Sequence, residues 1–291
     1  MVLPTFIICG TQRGGTTTLY HYLKEHPQIC MSEKKEVHYF DLNYHKSLQW
    51  YESHFKDCQN KKVKTIGEAS PFYMYLREVP ERIDETLPDV KLIFILRNPV
   101  DRAYSHYWHE VKLGVEYLPF EEAIKRENER ISKSNLFNKQ NYSYLDRGKY
   151  VIQLERFQKY FSKDQILIIF NDELKKTPEG VMKKVFEFLK VDTSFEKSSW
   201  KHKKYNIGYS PRSWRMQKTI GWFGSHNNIL GSIVRTIFRN IRHNKFFNNL
   251  LFINGYPPMK VETREELLKY FRSYNKRLEK FLEKKLYGWY K

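Results

Sequence analysis

The 291-residue chain has little cysteine, little acid and no long apolar run. Cys9, Cys30 and Cys58 form an odd, sparse set confined to the first fifth of the sequence. That set gives no sign of a disulfide framework or a zinc site, and it fits a reducing, cytoplasmic setting. No segment reaches the apolar length that a bilayer crossing needs. Met1-Val2-Leu3-Pro4 runs into a strand-like segment with no charged leader and no cleavage site. Acid is scarce: 33 Asp and Glu stand against 51 Lys and Arg, a formal charge of +18. From Ser199 onward the counts are 5 and 20, so +15 of the excess lies in the last third. This charge calls for an anionic partner: a nucleotide, a polyanion, nucleic acid or a membrane surface. Hydrophobic residues at 41% and aromatics at 16% exclude a disordered chain and supply a full core.

With no internal repeat and no linker, residues 1–291 read as one domain. Strand-like and helical runs alternate, which predicts an α/β, P-loop-like three-layer fold whose central, mostly parallel sheet is flanked by helices. The expected strands are Phe6–Cys9, Lys64–Gly67, Val90–Leu96 and Gln165–Phe170. Helical patterns cover Thr17–His26, Arg82–Leu87, Val100–Gly114, Tyr150–Phe161, Pro178–Leu189 and Glu262–Tyr287. The last of these places Leu267, Tyr270, Phe271, Tyr274, Leu278 and Phe281 on one face. Residues 191–258 break the alternation and read as an insertion or lid on the active face. Within them Ile229–Arg242 has the spacing of a basic amphipathic helix. Docking on a core is the favoured role, ahead of a lid or a membrane-surface contact.

The most informative segment is Phe6-Ile7-Ile8-Cys9-Gly10-Thr11-Gln12-Arg13-Gly14-Gly15-Thr16-Thr17-Thr18. An apolar strand meets a glycine turn and three threonines open a helix, the layout of a phosphate cradle. Gly10 and Gly15 have P-loop spacing, but Thr16 stands where a nucleotide triphosphatase has lysine. Arg13 is the nearest cation. The second segment is Leu96-Arg97-Asn98-Pro99-Val100-Asp101-Arg102-Ala103-Tyr104-Ser105-His106. Here a buried strand ends in Arg97 where a triphosphatase has a magnesium-binding acid. Arg97 and Ser105, about two helical turns on, make a second anion site with no metal ligand.

Together these segments resemble the sulfotransferases that use 3′-phosphoadenosine 5′-phosphosulfate (PAPS), particularly the branch related to heparan sulfate sulfotransferases. Thr11–Leu19 is similar to that family's 5′-phosphosulfate loop and Leu96–Glu110 to its 3′-phosphate signature. Tyr144–Leu154 and the closing helix also match. The resemblance implies PAPS as co-substrate, held by Arg13, Gly14, Gly15, Thr16, Thr17, Thr18, Arg97 and Ser105. A late loop around Asn206 and Arg212 would fold over the nucleotide.

It also implies that Glu36, in Lys35-Glu36-Val37-His38-Tyr39-Phe40-Asp41, is the general base. A carboxylate suits the role, since an acceptor hydroxyl or amine must lose a proton as it attacks sulfur. In an extended segment His38 shares the side of Glu36, where it could orient Glu36 or act as base itself. Arg13 would meet charge on the leaving phosphate. Arg13 and Ala69 replace lysines common in the family, and the disulfide loop of its Golgi members has no cysteine here. The implied acceptor is a carbohydrate or small molecule that can itself be anionic; no metal is expected, and no oligomeric state is specified. The competing readings are a P-loop kinase and a nucleic-acid-binding protein. Thr16 and Arg97 count against the first, and no nucleic-acid module supports the second.

Overall fold

The structure, a computed structural model, describes residues 2–59, 63–132, 135–197, 200, 209–213, 218–219, 222, 229–233, 236–237 and 252–291. In chain order the first elements are β1 (Phe6–Gly10), α1 (Thr16–Lys24), β2 (Ile29–Met31), α2 (Leu48–Glu52), β3 (Thr65–Ala69) and α3 (Val79–Thr86). Then come β4 (Lys91–Leu96), α4 (Pro99–Lys112), α5 (Phe120–Lys125), α6 (Glu127–Ser132), α7 (Leu136–Tyr142) and α8 (Tyr150–Phe157). They are followed by β5 (Ile166–Phe170), α9 (Asn171–Lys176) and α10 (Pro178–Leu189). Beyond these lie β6 (Tyr209–Pro211), β7 (Phe252–Asn254) and the long helix α11 (Val261–Leu282). The chain packs as two units, Met1–Arg97 with Tyr150–Tyr205, and Asn98–Lys149 with Asn206–Lys291.

The first unit is built on a five-stranded sheet of order β2-β3-β1-β4-β5 in which every pairing is parallel. Strands such as Phe-Ile-Ile-Cys-Gly and, after its first lysine, Lys-Leu-Ile-Phe-Ile-Leu are near-continuous apolar runs because both faces are covered. Alternation along β4 shows this directly. Ile93 and Ile95 join a core with Leu19 and Leu23 of α1 and Val181, Val185 and Phe186 of α10. Phe94, on the other face, meets Phe157 of α8 with ring centroids 4.9 Å apart. Helices therefore flank the sheet on both sides. Val191 and Trp200, at the start of the expected insertion, are buried in this first core.

Three sequence expectations change here. Cys30 on β2 and Cys58 form a disulfide, which leaves Cys9 as the free, buried thiol. The sparse count concealed a pair, because folding brings positions 28 residues apart within a Cα separation of 5.8 Å. The edge strand β2 was too short to show a pattern, although all three of its residues are buried. On α11, Leu267, Phe271 and Leu278 are buried as expected, but Tyr270 is 41% exposed.

The second unit has its own core, where Val100, Ala103, Tyr107 and Val111 of α4 meet Leu267 and Phe271 of α11. Helix α4 starts where Asn98 caps it, its side chain accepting the Val100 amide at 3.0 Å, with Pro99 in the first turn. Gly148 is held to glycine by space: a Cβ there would lie 2.6 Å from the Phe271 ring. Two buried carboxylates in this unit have polar partners, as burial demands. Arg130 binds Glu116 at 2.6 Å, and Glu127 accepts the amides of Leu145 and Asp146 at 2.7 Å each. β6 and β7 form a small antiparallel pair within the region expected to be irregular. No helix among the described residues is long and apolar enough to cross a membrane.

Candidate active site

β1 lies between β3 and β4, and the loop after it leaves the carboxyl edge of the sheet at the point where strand order reverses. The Thr11 amide donates to the Ile95 carbonyl at 3.0 Å and the Gly14 amide to the Thr11 carbonyl at 2.8 Å. This tight path explains the glycines. A Cβ on Gly14 would lie 2.5 Å from the Ile95 carbonyl oxygen, and Gly15 has φ 115, in the left-handed region. Helix α1 then begins with no capping side chain and no acid in its first turn. Its first amides, at Thr16, Thr17 and Thr18, are left for an anion together with the positive end of the helix dipole.

Two arginines meet beside this loop. Arg97 follows β4, Arg13 follows β1, and these strands are neighbours. The Arg97 Nη1 donates to the Arg13 carbonyl at 3.3 Å, while Tyr150 Oη donates to the Arg97 carbonyl at 2.8 Å. Asn171, which the sequence did not single out, donates from Nδ2 to the Gly14 carbonyl at 2.5 Å. Its place directly after β5, on the same sheet edge, is the one signal that could have found it.

The segment that carries Glu36 and His38 lies against the end of β3, next to β1. The Glu36 amide donates to the Ala69 carbonyl at 3.0 Å. The segment is not extended: Glu36 has φ 65 and His38 φ 57, both left-handed. Their side chains still converge, with His38 Nε2 3.4 Å from Glu36 Oε2. Lys35 Nζ binds Glu36 Oε1. On its other side His38 Nδ1 lies 2.8 Å from Asp41 Oδ2, and the Asp41 side chain is fully buried. Asp41 is therefore a site residue that sequence reasoning quoted but gave no role.

The electrostatics follow from these contacts. Burial pushes Glu36 up, but the hydrogen bond with His38 and the Lys35 charge outweigh it and hold its pKa near about 2. Burial pushes His38 down, but hydrogen bonds with Asp41 and Glu36 raise it to about 9. The resting site is thus a charged imidazolium between two carboxylates.

The remaining expected residues are distributed as follows. Ser105 is buried on α4 of the second unit, and Arg212 is exposed beside β6 in that unit. Asn206 lies outside the described residues. Among the described residues no group of three or more His, Cys, Asp or Glu is placed to hold a metal ion.

Over 295 residues the chain is 30% identical to bifunctional heparan sulfate N-deacetylase/N-sulfotransferase 4 of Mus musculus, covering 97% of this chain and 30% of that protein. It is 32% identical over 189 residues to heparan sulfate glucosamine 3-O-sulfotransferase 3B1 of Mus musculus, covering 64% of this chain and 46% of that protein. The chain thus spans less than half the length of either curated relative. The crystal structure of a sulfotransferase from Alicyclobacillus acidocaldarius aligns over 100% of both chains, with a TM-score of 0.73 and 25% identity. Residues 3–219 match the sulfotransferase domain family, a span that takes in the phosphate loop, the Glu36–Asp41 segment and Arg97, and the chain belongs to that family.

Proposed function

We propose that this chain moves the sulfuryl group of PAPS to a hydroxyl or amine of a carbohydrate or small-molecule acceptor. The observation that carries this reading is a pairing on adjacent strand ends. The Arg97 guanidinium, after β4, reaches the backbone carbonyl of Arg13, after β1, and Glu36 meets His38 beside the end of β3.

The loop fits a phosphosulfate: Gly14 and Gly15 permit its tight turn, and α1 offers uncapped amides. Arg13 with Gly14, Gly15 and Thr16–Thr18 would hold that group, and Arg97 the 3′-phosphate. Ser105, Asn206 and Arg212 join by resemblance. When bound, the nucleotide supplies an electrophilic sulfur and a phosphate leaving group. Arg13 and the α1 amides would stabilise charge building on that phosphate. Glu36 takes the proton of the attacking acceptor, and His38, fixed by Asp41, orients Glu36. Glu36 gains basicity once the acceptor displaces Lys35 or His38 from it. Arg97, a cation where a triphosphatase has its metal-binding acid, supports transfer without a metal.

Heparan sulfate, named in both relatives, makes an anionic carbohydrate the favoured acceptor and suits the +15 carried after Ser199. The family match takes in parts of both units, which supports residues 1–291 as one sulfotransferase domain. A cytoplasmic setting loses its main support to the Cys30–Cys58 bridge. The test is a screen of acceptor classes with radiolabelled PAPS, run in chelator. Sulfate transfer to a carbohydrate is expected, reduced roughly 10²–10⁴-fold by Glu36→Gln with nucleotide affinity kept. No transfer to any class overturns the reading.

A further inference from the structure

Beneath the Glu36–Asp41 segment lies a carboxylate that the transfer chemistry does not use. Glu68, near the end of β3, is fully buried. Its Oε1 accepts hydrogen bonds from the hydroxyls of Tyr51 at 2.7 Å and Tyr73 at 3.0 Å, and its Oε2 accepts one from Ser70 at 2.7 Å. Burial pushes its pKa up to about 7 even with these donors, so above that pH it is ionised. An ionised carboxylate has no proton to give, so all three hydroxyls must donate to it.

That requirement decides where the hydroxyl lone pairs point. Ser70 Oγ accepts the His38 amide at 3.1 Å. Tyr73 Oη accepts the amides of Tyr39 at 2.7 Å and Phe40 at 3.3 Å. Three consecutive N–H groups of the base segment are therefore tied, through two hydroxyls, to one buried charge. The stretch they hold includes His38 in the left-handed region, next but one to Glu36 in the same region. Such backbone is strained and persists only where its surroundings over-determine it. It also sets the spacing of the reacting groups, because the His38 ring reaches Asp41 and Glu36 from that backbone.

We propose that Glu68 is a positioning residue for the transfer reaction, acting through Ser70 and Tyr73 to hold His38–Phe40 and so fix the Glu36–His38–Asp41 alignment. The role rests on the sulfuryl-transfer reading of Glu36 and His38. It differs from plain core packing because the hub must be a hydrogen-bond acceptor at every position. A carboxamide of equal size turns a donor to one of these hydroxyls, which loses the acceptor it donates to and must reorient, loosening its hold on the segment.

The experiment is Glu68→Gln, read in two ways, by NMR titration and by kinetics at pH 8. The first is the ring-nitrogen NMR titration of His38 in histidine-labelled protein, identified by its loss in His38→Ala. The midpoint should fall from near 9 towards the ordinary 6.5, by about half a unit or more. The second is kinetic: kcat should drop about tenfold, with KM for PAPS held within about twofold. If Glu68→Gln does not fold, Ser70→Ala removes one spoke and should move the His38 midpoint in the same direction. An unmoved midpoint in the folded variant overturns the proposal. A fall in kcat matched by an equal rise in KM for PAPS also overturns it, since that is general loosening. Absence of transfer by the unmodified protein would refute the function reading, while the NMR midpoint still decides whether Glu68 positions His38.

Discussion

His38 Nδ1 lies 2.8 Å from Oδ2 of the buried Asp41, and this contact aims Nε2 at Glu36. The buried carboxylate cannot reach an acceptor, whereas Glu36, 41% exposed, can. On the sulfuryl-transfer reading, position along one imidazole separates the group that orients from the group that reacts.

The pH dependence of the rate follows. With Glu36 held at about 2, its carboxylate is ionised across the working range, so kcat/KM should fall on the acid side only as Glu68 protonates below about 7 and should be level from there to about pH 8. It should fall as pH rises through about 9, where His38 loses its proton and no longer fixes Glu36 by charge. Asp41→Asn removes the main partner that raises His38 and should bring the alkaline limb to lower pH. A rate that climbs through pH 9 would instead identify neutral His38 as the base.

Nucleotide binding should depend on Arg97. Arg97→Ala is expected to weaken adenosine 3′,5′-bisphosphate by ~1.5–3 kcal/mol, the scale of a charge-assisted contact. Calorimetry on both proteins measures this, and equal affinities would remove Arg97 from the site.

Two glycines should respond in opposite ways to alanine. At Gly14 the new Cβ would stand 2.5 Å from the Ile95 carbonyl oxygen, so Gly14→Ala should cost about 1–3 kcal/mol and impair nucleotide binding. At Gly180, inside α10, nothing lies within 4 Å, so Gly180→Ala should be neutral or stabilising by up to about 1 kcal/mol. Thermal unfolding with and without nucleotide separates the two effects.

The Cys30–Cys58 bridge closes a loop across 28 positions. Its removal by Cys58→Ser or by reductant should lower stability by about 2–4 kcal/mol in urea unfolding. Burial pushes the thiol of Cys9 well up in pKa, so in the native protein it should resist alkylation. Equal stability of oxidised and reduced protein would argue against the bridge.

Much of this site is written locally. A phosphate loop needs its glycines and helix start contiguous, so Gly14, Gly15 and Thr16–Thr18 mark it within one stretch of sequence. Arg97 is legible for a similar reason, since it ends an unmistakable buried strand. Apolar runs and their periods likewise determine the parallel sheet and its flanking helices, because burial on both faces requires uninterrupted hydrophobic strands. The pairing of Cys30 with Cys58, the contact of Arg97 with Arg13 and the Glu68 hub are different. Each joins segments whose separation carries no sequence period: the bridge ties β2 to the turn after α2, the Arg97–Arg13 contact needs β1 and β4 side by side, and the hub gathers Tyr51, Ser70 and Tyr73 around Glu68 of β3. Glu36 and His38 show the division most clearly. Sequence names both residues, but an extended segment would bring them together by alternation, whereas the protein does so with two left-handed residues. That backbone is held by Ala69, Ser70 and Tyr73 from β3 and the turn after it, so tertiary structure decides the geometry of the proposed base.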